Sequence, residues 1–283
     1  MTAAAPFLFS VDVEDPRLEL ADGERFPARV PALIGSYLDF LRRHEAKGTF
    51  FVVGEVARRH PEVIRRIASE GHELGCHSDA HVPLDRLGQP RFRDDLLRNL
   101  EALREAGASR IEGYRAPCFS MTAATRWAYE TLAGLGFTYS SSVLPARNPI
   151  YGDSRFGPRP RLIEGVVELP VTLLPFRILP VPIGGLYFRV LPRPILRRAL
   201  AVRLKRGEAV ASYHHPYDLD TEQGFTHAGF RRWGAFDLLM RANRGAVLPR
   251  LEMARALGFS FAPYGPYAQR VGESLRSKRG ADE

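Results

Sequence analysis

Short apolar runs, each followed by a stretch of helical periodicity and each ending near a polar side chain, constrain this chain more than any other feature. Phe7 to Val13 alternates apolar and small residues and runs into the acids Asp12, Glu14 and Asp15. Val30 to His44 repeats apolar residues at helical spacing, and Gly48 to Gly54 (GTFFVVG) reads as a buried strand bounded by glycines. Pro61 opens a helix that runs through Ser69, with Gly71 as its stop signal, and Glu73 to His77 is the next strand. The pattern continues with a helix over Arg91 to Ala106, a strand end at Gly113 to Arg115, a helix over Thr122 to Leu135, and strand-like runs at Phe137 to Ser141 and Val166 to Val171. A basic helix over Ile195 to Arg206, a strand over Ala209 to His214, one long helix over Ala235 to Leu257 and a closing strand over Phe259 to Ala262 complete it. About seven strand–helix units in one chain argue for a parallel barrel or a doubly wound sheet. In either architecture the carboxyl ends of the strands form the working face. Asp12, Glu14, Asp15, His77, His81, Arg115 and His215 all fall at or just after expected strand ends.

At 283 residues, with 45% apolar and 25% charged content, the chain suits one large domain with a sizeable core. Residues 1–270 are expected to form that domain, and 271–283, polar and charged, a flexible tail. The two cysteines, Cys76 and Cys118, make no zinc or disulfide framework and suit a reducing compartment. No window approaches ~18 uninterrupted apolar residues, and the short run Phe7 to Phe9 lacks the features of a signal peptide. The expected location is the cytoplasm. The net charge of +8 comes mostly from arginine. With no helix-turn-helix, zinc-finger or RNA-binding signature beside it, that charge does not point to nucleic acid.

The most specific chemistry lies in His77-Ser78-Asp79-Ala80-His81. Four residues is about one helical turn, so both imidazoles can point the same way. Two imidazoles and one carboxylate, with an open fourth position, form the ligand set of a catalytic divalent metal site. The N-terminal acids Asp12, Glu14 and Asp15 can supply the carboxylate. Two nitrogens and one oxygen make zinc the default, and cobalt, manganese or iron could take the same ligands.

Four motifs in order, VDVED, HSDAH, YRAPCFS and YHHPYD, resemble the polysaccharide deacetylases (carbohydrate esterase family 4, with the nodulation-factor deacetylase homology domain), in particular the branch associated with exopolysaccharide and exosortase clusters. The resemblance covers roughly residues 7 to 262 and implies a distorted parallel (β/α)7-type barrel. It implies a metal-dependent N-deacetylase acting on an N-acetylated sugar of a bacterial cell-surface polysaccharide or its lipid-linked precursor. Asp12 matches the family's general base, His77 and His81 its metal histidines, and Arg115 the arginine that keeps the base ionised and oriented. The family's metal aspartate directly follows its base. Here Val13 and Glu14 intervene, so Asp15 is the favoured ligand, with Glu14 the alternative. The backbone N–H of Cys118 falls at the family's oxyanion donor, and a thiol nucleophile at Cys118 is a runner-up. His215 matches the general acid, and His214, pointing to the other face, is expected to be structural. Asp218 could orient His215 or bind substrate. Glu168 is a possible stand-in for the acidic partner that the family usually supplies to this histidine.

Tyr114, Phe119, Tyr187, Trp233 and Tyr264 could stack on sugar rings, and Tyr114, Phe119 and Asp218 are the expected substrate contacts. The segment Leu173 to Leu204 interleaves apolar residues with arginines and contains no acid. Either it is an ordinary buried segment and basic helix, or it is a surface that meets a membrane carrying the glycan. Two other functions fit the same residues: hydrolysis of another small amide on the same barrel, or glycan binding without turnover.

Overall fold

In the computed structural model, residues 5–176, 180–224 and 234–282 are described; Trp233 lies outside them. The first strand is continuous but for Phe9: β1 (Pro6–Leu8) leads directly into β2 (Ser10–Val13). The remaining strands are β3 (Thr49–Val52), β4 (Glu73–Cys76), β5 (Gly113–Tyr114), β6 (Tyr139–Ser140), β7 (Arg161–Ile163), β8 (Val166–Glu168), β9 (Val210–Ala211) and β10 (Ser260–Ala262). One sheet runs β2-β3-β4-β5-β6-β8-β7, parallel except for β7 at its edge, and a second runs β10-β1-β9, all parallel. The two sheets meet along the first strand, where the Asp12 N–H donates to the His214 carbonyl at 2.8 Å. With β1 and β2 counted as one, seven strands form a parallel ring: β1–β2, β3, β4, β5, β6, β8 and β9. Among the described residues β8 and β9 share no ladder. Thr172 links the ends of the ring there, its N–H donating to the Ala211 carbonyl at 3.0 Å and its Oγ1 accepting from the Ala211 N–H at 2.8 Å.

Alternation along the strands sorts the core into an outer layer and an interior. Phe9, Val11, Val13, Phe50, Val52 and Leu74 face the surrounding helices and pack on Ile34, Leu38, Leu41, Val56 and Ile64. Leu8, Phe51, Tyr139, Val167 and Tyr264 fill the ring. Two glycines make room for them. A Cβ on Gly75 would lie 2.5 Å from the Phe51 ring, and one on Gly113 would lie 2.2 Å from Tyr139. At the amino-terminal end of the ring, Glu73 accepts from Tyr139 Oη at 2.8 Å and from the Gly265 N–H at 2.9 Å. At the carboxyl end the interior is polar and holds Asp12 and Arg115.

Three expectations about elements change. The helix expected over Ala235 to Leu257 is two, Gly234–Arg241 and Val247–Leu257, because Asn243 takes a left-handed conformation (φ 54°) and Arg244 turns back to bond the Met240 carbonyl at 3.1 Å. The helix expected over Thr122 to Leu135 opens with a separate turn, Ala123–Thr125, closed by a capping box between Thr122 and Thr125, before Ala128–Gly134. The segment 271–283, expected as a flexible tail, continues a helix that spans Tyr264–Asp282. That helix docks on the ring through buried Tyr264 and Ala268, and Gly272 lies against Val167. Polar composition alone did not reveal this docking.

The segment rich in apolar residues and arginine is also resolved into layers. Its helix, Arg193–Lys205, buries Leu196, Ala199 and Leu200 and turns Arg193, Arg197, Arg198 and Lys205 outward. The described apolar residues of Leu173 to Leu204 are therefore buried or half-buried, and Ile195, at 38% exposure, is an outward exception.

Gly75→Ala should destabilise the fold by about 1–3 kcal/mol through overpacking against Phe51. A lower urea midpoint with an unchanged slope would show it; an unshifted midpoint would mean the ring yields at no cost.

Candidate active site

The carboxyl ends of β2, β4, β5 and β9 bring the separate motifs together. Asp12, on β2, is buried, and its Oδ1 accepts from Arg115 Nη1 at 2.6 Å. Arg115 follows β5 and is fully buried. It also donates to Ser10 Oγ (2.7 Å), the Ser141 carbonyl (2.9 Å) and Ser141 Oγ (3.0 Å). Its guanidinium lies 4.2 Å from the centre of the Phe51 ring and 5.2 Å from that of Tyr264. A buried cation is tolerated only when paired and hydrogen-bonded, and this one is both.

His77 follows β4. Its Nδ1 lies 2.8 Å from the Arg115 carbonyl, which fixes Nδ1–H as donor and leaves the Nε2 lone pair free. Burial pushes His77 down to about 4, so it is a neutral imidazole at ordinary pH. His81 Nε2 lies 2.6 Å from Glu14 Oε2, and His77 Nε2 is 4.0 Å from the same oxygen. Ligand atoms of Glu14, His77 and His81 all lie within 4.8 Å of one another. Burial opposes the charges on Glu14 and His81, but their mutual attraction prevails. Glu14, beside three imidazoles, is held well below the usual carboxylate range, and His81 is held well above its ordinary value.

The two histidines converge without a helix. Residues 77–83 form a loop in which Ser78 (φ 66°) and His81 (φ 54°) are left-handed. Side chains of the helix Gln89–Glu105 hold that loop. Asp95 accepts from Ser78 Oγ at 3.2 Å and from the Asp79 N–H at 3.1 Å, and Asn99 Nδ2 donates to the carbonyls of Val52 (2.9 Å) and Ser78 (2.6 Å). Asp79 itself pairs with Arg58 at 2.7 Å and Arg98 at 3.3 Å.

Asp15, favoured over Glu14 from the sequence, is not brought to the histidines. Its two oxygens are taken by Arg17 at 2.6–3.1 Å, and one also caps the turn Pro16–Glu19 by accepting from the Arg17 N–H. The longer reach of Glu14 brings its carboxylate to His81 instead.

His215 lies opposite, with its Nε2 3.8 Å from Glu14 Oε1. Its Nδ1 is 3.0 Å from Asp218 Oδ2, its own N–H donates to the same oxygen at 2.8 Å, and its ring stacks on Tyr217. Burial alone would lower the His215 value, but Asp218 raises it above the ordinary one. Asp218 is fully buried and meets Arg189 Nε at 2.7 Å. It orients His215 and cannot touch a glycan. His214 is buried against Phe9 and Phe188 on the other face of the strand.

The family profile described as polysaccharide deacetylase matches residues 22–138. The chain carries a polysaccharide deacetylase domain. A second profile, described as a domain of unknown function (DUF3473), matches residues 141–256. A peptidoglycan-N-acetylglucosamine deacetylase from Bacillus cereus is 38% identical over 82 residues, covering 29% of this chain and 28% of that protein. A chitooligosaccharide deacetylase from Bradyrhizobium sp. is 39% identical over 69 residues, covering 24% of this chain and 32% of that protein. The chain thus aligns with about a third or less of the length of these curated relatives. The crystal structure of a candidate polysaccharide deacetylase from Mycobacterium smegmatis superposes over 99% of this chain and 93% of its own, with a TM-score of 0.62 and 22% identity. At that identity the likeness establishes the fold. The expected (β/α)7-type architecture is borne out, with its ring left unladdered between β8 and β9.

Other residues expected in the site lie elsewhere. Tyr114 is fully buried against Phe92 and Phe137. Period two explains it: Arg115 faces the ring, so its neighbour must face the helices. Glu168 is outward for the same reason. It accepts from the N–H groups of Ser142 (2.7 Å) and Val143 (2.9 Å) and from Tyr129 Oη, far from the role of a His215 partner. Tyr264 is core and bonds the Ser212 carbonyl at 2.8 Å; Tyr187 is half-buried. Phe119 does lie at the site, packed edge-on against Tyr213 at 4.7 Å and beside Arg115. Both Cys118 and Phe119 have φ of 55°. Desolvation, with Glu14 and Glu19 nearby, pushes the Cys118 thiol up to about 11, which makes it a poor nucleophile. Sequence reading missed Arg189, although a lone charge in the apolar run Leu186 to Leu191 was a usable signal.

Glu14→Ala should abolish zinc binding in a calorimetric titration, whereas Asp15→Ala should leave it measurable. The reverse result would return Asp15 to the metal.

Proposed function

We propose that this chain is a metal-dependent N-deacetylase that hydrolyses the acetamide of an N-acetylated sugar. One observation carries the reading: the Glu14–His77–His81 cluster stands with two differently held groups, Asp12 paired to Arg115 and His215 paired to Asp218. The donor set suits a divalent metal such as zinc, since His77 presents a free Nε2 and the carboxylate is deprotonated. A cation held by Glu14, His77 and His81 would polarise the acetamide carbonyl and acidify water. Asp12, fixed by Arg115, accepts the proton of the attacking water at a carboxylate oxygen. The backbone N–H of Cys118 supplies a donor to the developing oxyanion. His215, with Nδ1 held by Asp218, delivers a proton from Nε2 to the departing nitrogen, giving acetate and a free amine. Phe119 forms part of the wall on which a sugar would rest.

Support for the substrate class comes from the relatives, named as deacetylases of peptidoglycan N-acetylglucosamine and of chitooligosaccharides. The DUF3473 match marks the exopolysaccharide-associated branch and favours a cell-surface polysaccharide or its precursor. Both matched regions contribute to one sheet, since β6, which falls between them, pairs with β5 of the first and β8 of the second, and this supports a single catalytic unit over residues 1–270. Among the described residues no helix is long and apolar enough to cross a membrane. Both cysteines are free thiols, which favours the cytoplasm. The alternatives, another small amide or binding without turnover, have less support because the paired acid and base are both assembled.

Acetate release from chitooligosaccharides tests the reading. It should stop on complete chelation and return with zinc, and Asp12→Asn should lower kcat by about 10²–10⁴-fold with zinc still bound. Release that survives chelation would remove the metal from the reaction, and full activity in Asp12→Asn would remove the base.

A peripheral contact with an anionic membrane is the partner we infer for the outward arginines of the helix Arg193–Lys205. The protein should float with vesicles rich in phosphatidylglycerol, and the double change Arg197→Glu and Arg198→Glu should release it. Equal flotation by both proteins would dismiss the contact.

A further inference from the structure

Each metal histidine needs something behind it to aim Nε2 inward. For His77 that is the Arg115 carbonyl on Nδ1, at 2.8 Å. His81 cannot rely on its backbone, because it stands in a left-handed loop position rather than on a helix. Behind it lies Glu19, whose Oε1 is 3.4 Å from His81 Nδ1. Glu19 closes the turn Pro16–Glu19, which follows the acidic strand end directly.

That turn is firmly held. Asp15 caps it and grips Arg17, Arg17 Nη1 donates to the Phe26 carbonyl at 2.8 Å, and Gly23 packs on the Arg17 carbonyl so closely that a Cβ would lie 1.9 Å away. The acid that does not meet the histidines thus anchors the turn that carries one that does. Metal-bound imidazoles usually donate their far N–H to a carboxylate or carbonyl, and loss of that partner weakens metal binding.

We propose that Glu19 is a positioning residue for the metal centre, setting the tautomer and ring orientation of His81 from behind, with Asp15 and Arg17 holding it in place. The inference rests on the proposed metal site and extends it to a residue outside the motifs. Zinc affinity of the metal-free protein, measured by competition with a chromophoric chelator, tests it. Glu19→Ala should weaken zinc binding by about 10–100-fold. Glu19→Gln, which keeps an acceptor of the same reach, should recover most of the loss. Asp22→Ala, which removes an equal charge from the same loop, should bind as the wild type does. Wild-type affinity in Glu19→Ala, or an equal loss in Asp22→Ala, would overturn the role of Glu19 while leaving the metal site standing. Failure of the wild-type protein to bind zinc at all would overturn both.

Discussion

The buried pair between Arg115 and Asp12 is the contact on which the rest of the structure depends. Arg115 divides its donors between Asp12 and Ser10 on β2 and Ser141 just after β6, and lays its planar face on Phe51. Its carbonyl, meanwhile, fixes the tautomer of His77. One residue therefore fills the upper interior of the ring, holds the Asp12 carboxylate in place and orients the His77 imidazole. Lysine could not replace it, since a single ammonium cannot reach these partners in a planar fork or stack on the ring.

Opposing electrostatic settings meet in a small volume. His77 is kept neutral by burial, whereas Glu14 and His81 support each other's charge, and His215 owes its raised value to a buried carboxylate. Hydrolysis of an amide needs one group that takes a proton and another that gives one, and environments that push such groups apart supply both roles. His215 and then Arg189 keep Asp218 ionised although burial opposes its charge.

Much of this was legible in the sequence, and the failures have physical reasons. Strand periodicity placed the candidate site residues at one end of the ring, and the order of motifs pointed to the polysaccharide deacetylase domain that residues 22–138 match. The same period-two rule, applied strictly, would have turned Tyr114 away from the substrate once Arg115 faced inward, and Glu168 away from His215. The choice between Glu14 and Asp15 was not legible, because it depends on Arg17, a neighbour whose pairing appears only in three dimensions. A helical turn seemed the natural way to align His77 and His81, yet a loop does it, pinned by Asp95 and Asn99 from a helix beyond the motif. The docking of the last helix was missed because its anchors, Tyr264 and Ala268, precede the polar stretch that suggested disorder.

The amide of Asn99 bonds two carbonyls at once, one on β3 and one in the histidine loop. A loop fastened to the scaffold in this way has its histidines placed by the fold itself. The ordering cost that makes small metal domains collapse when stripped has here been met by the helix Gln89–Glu105. On the proposed metal reading, the protein stripped of its cation would fall silent while keeping its shape.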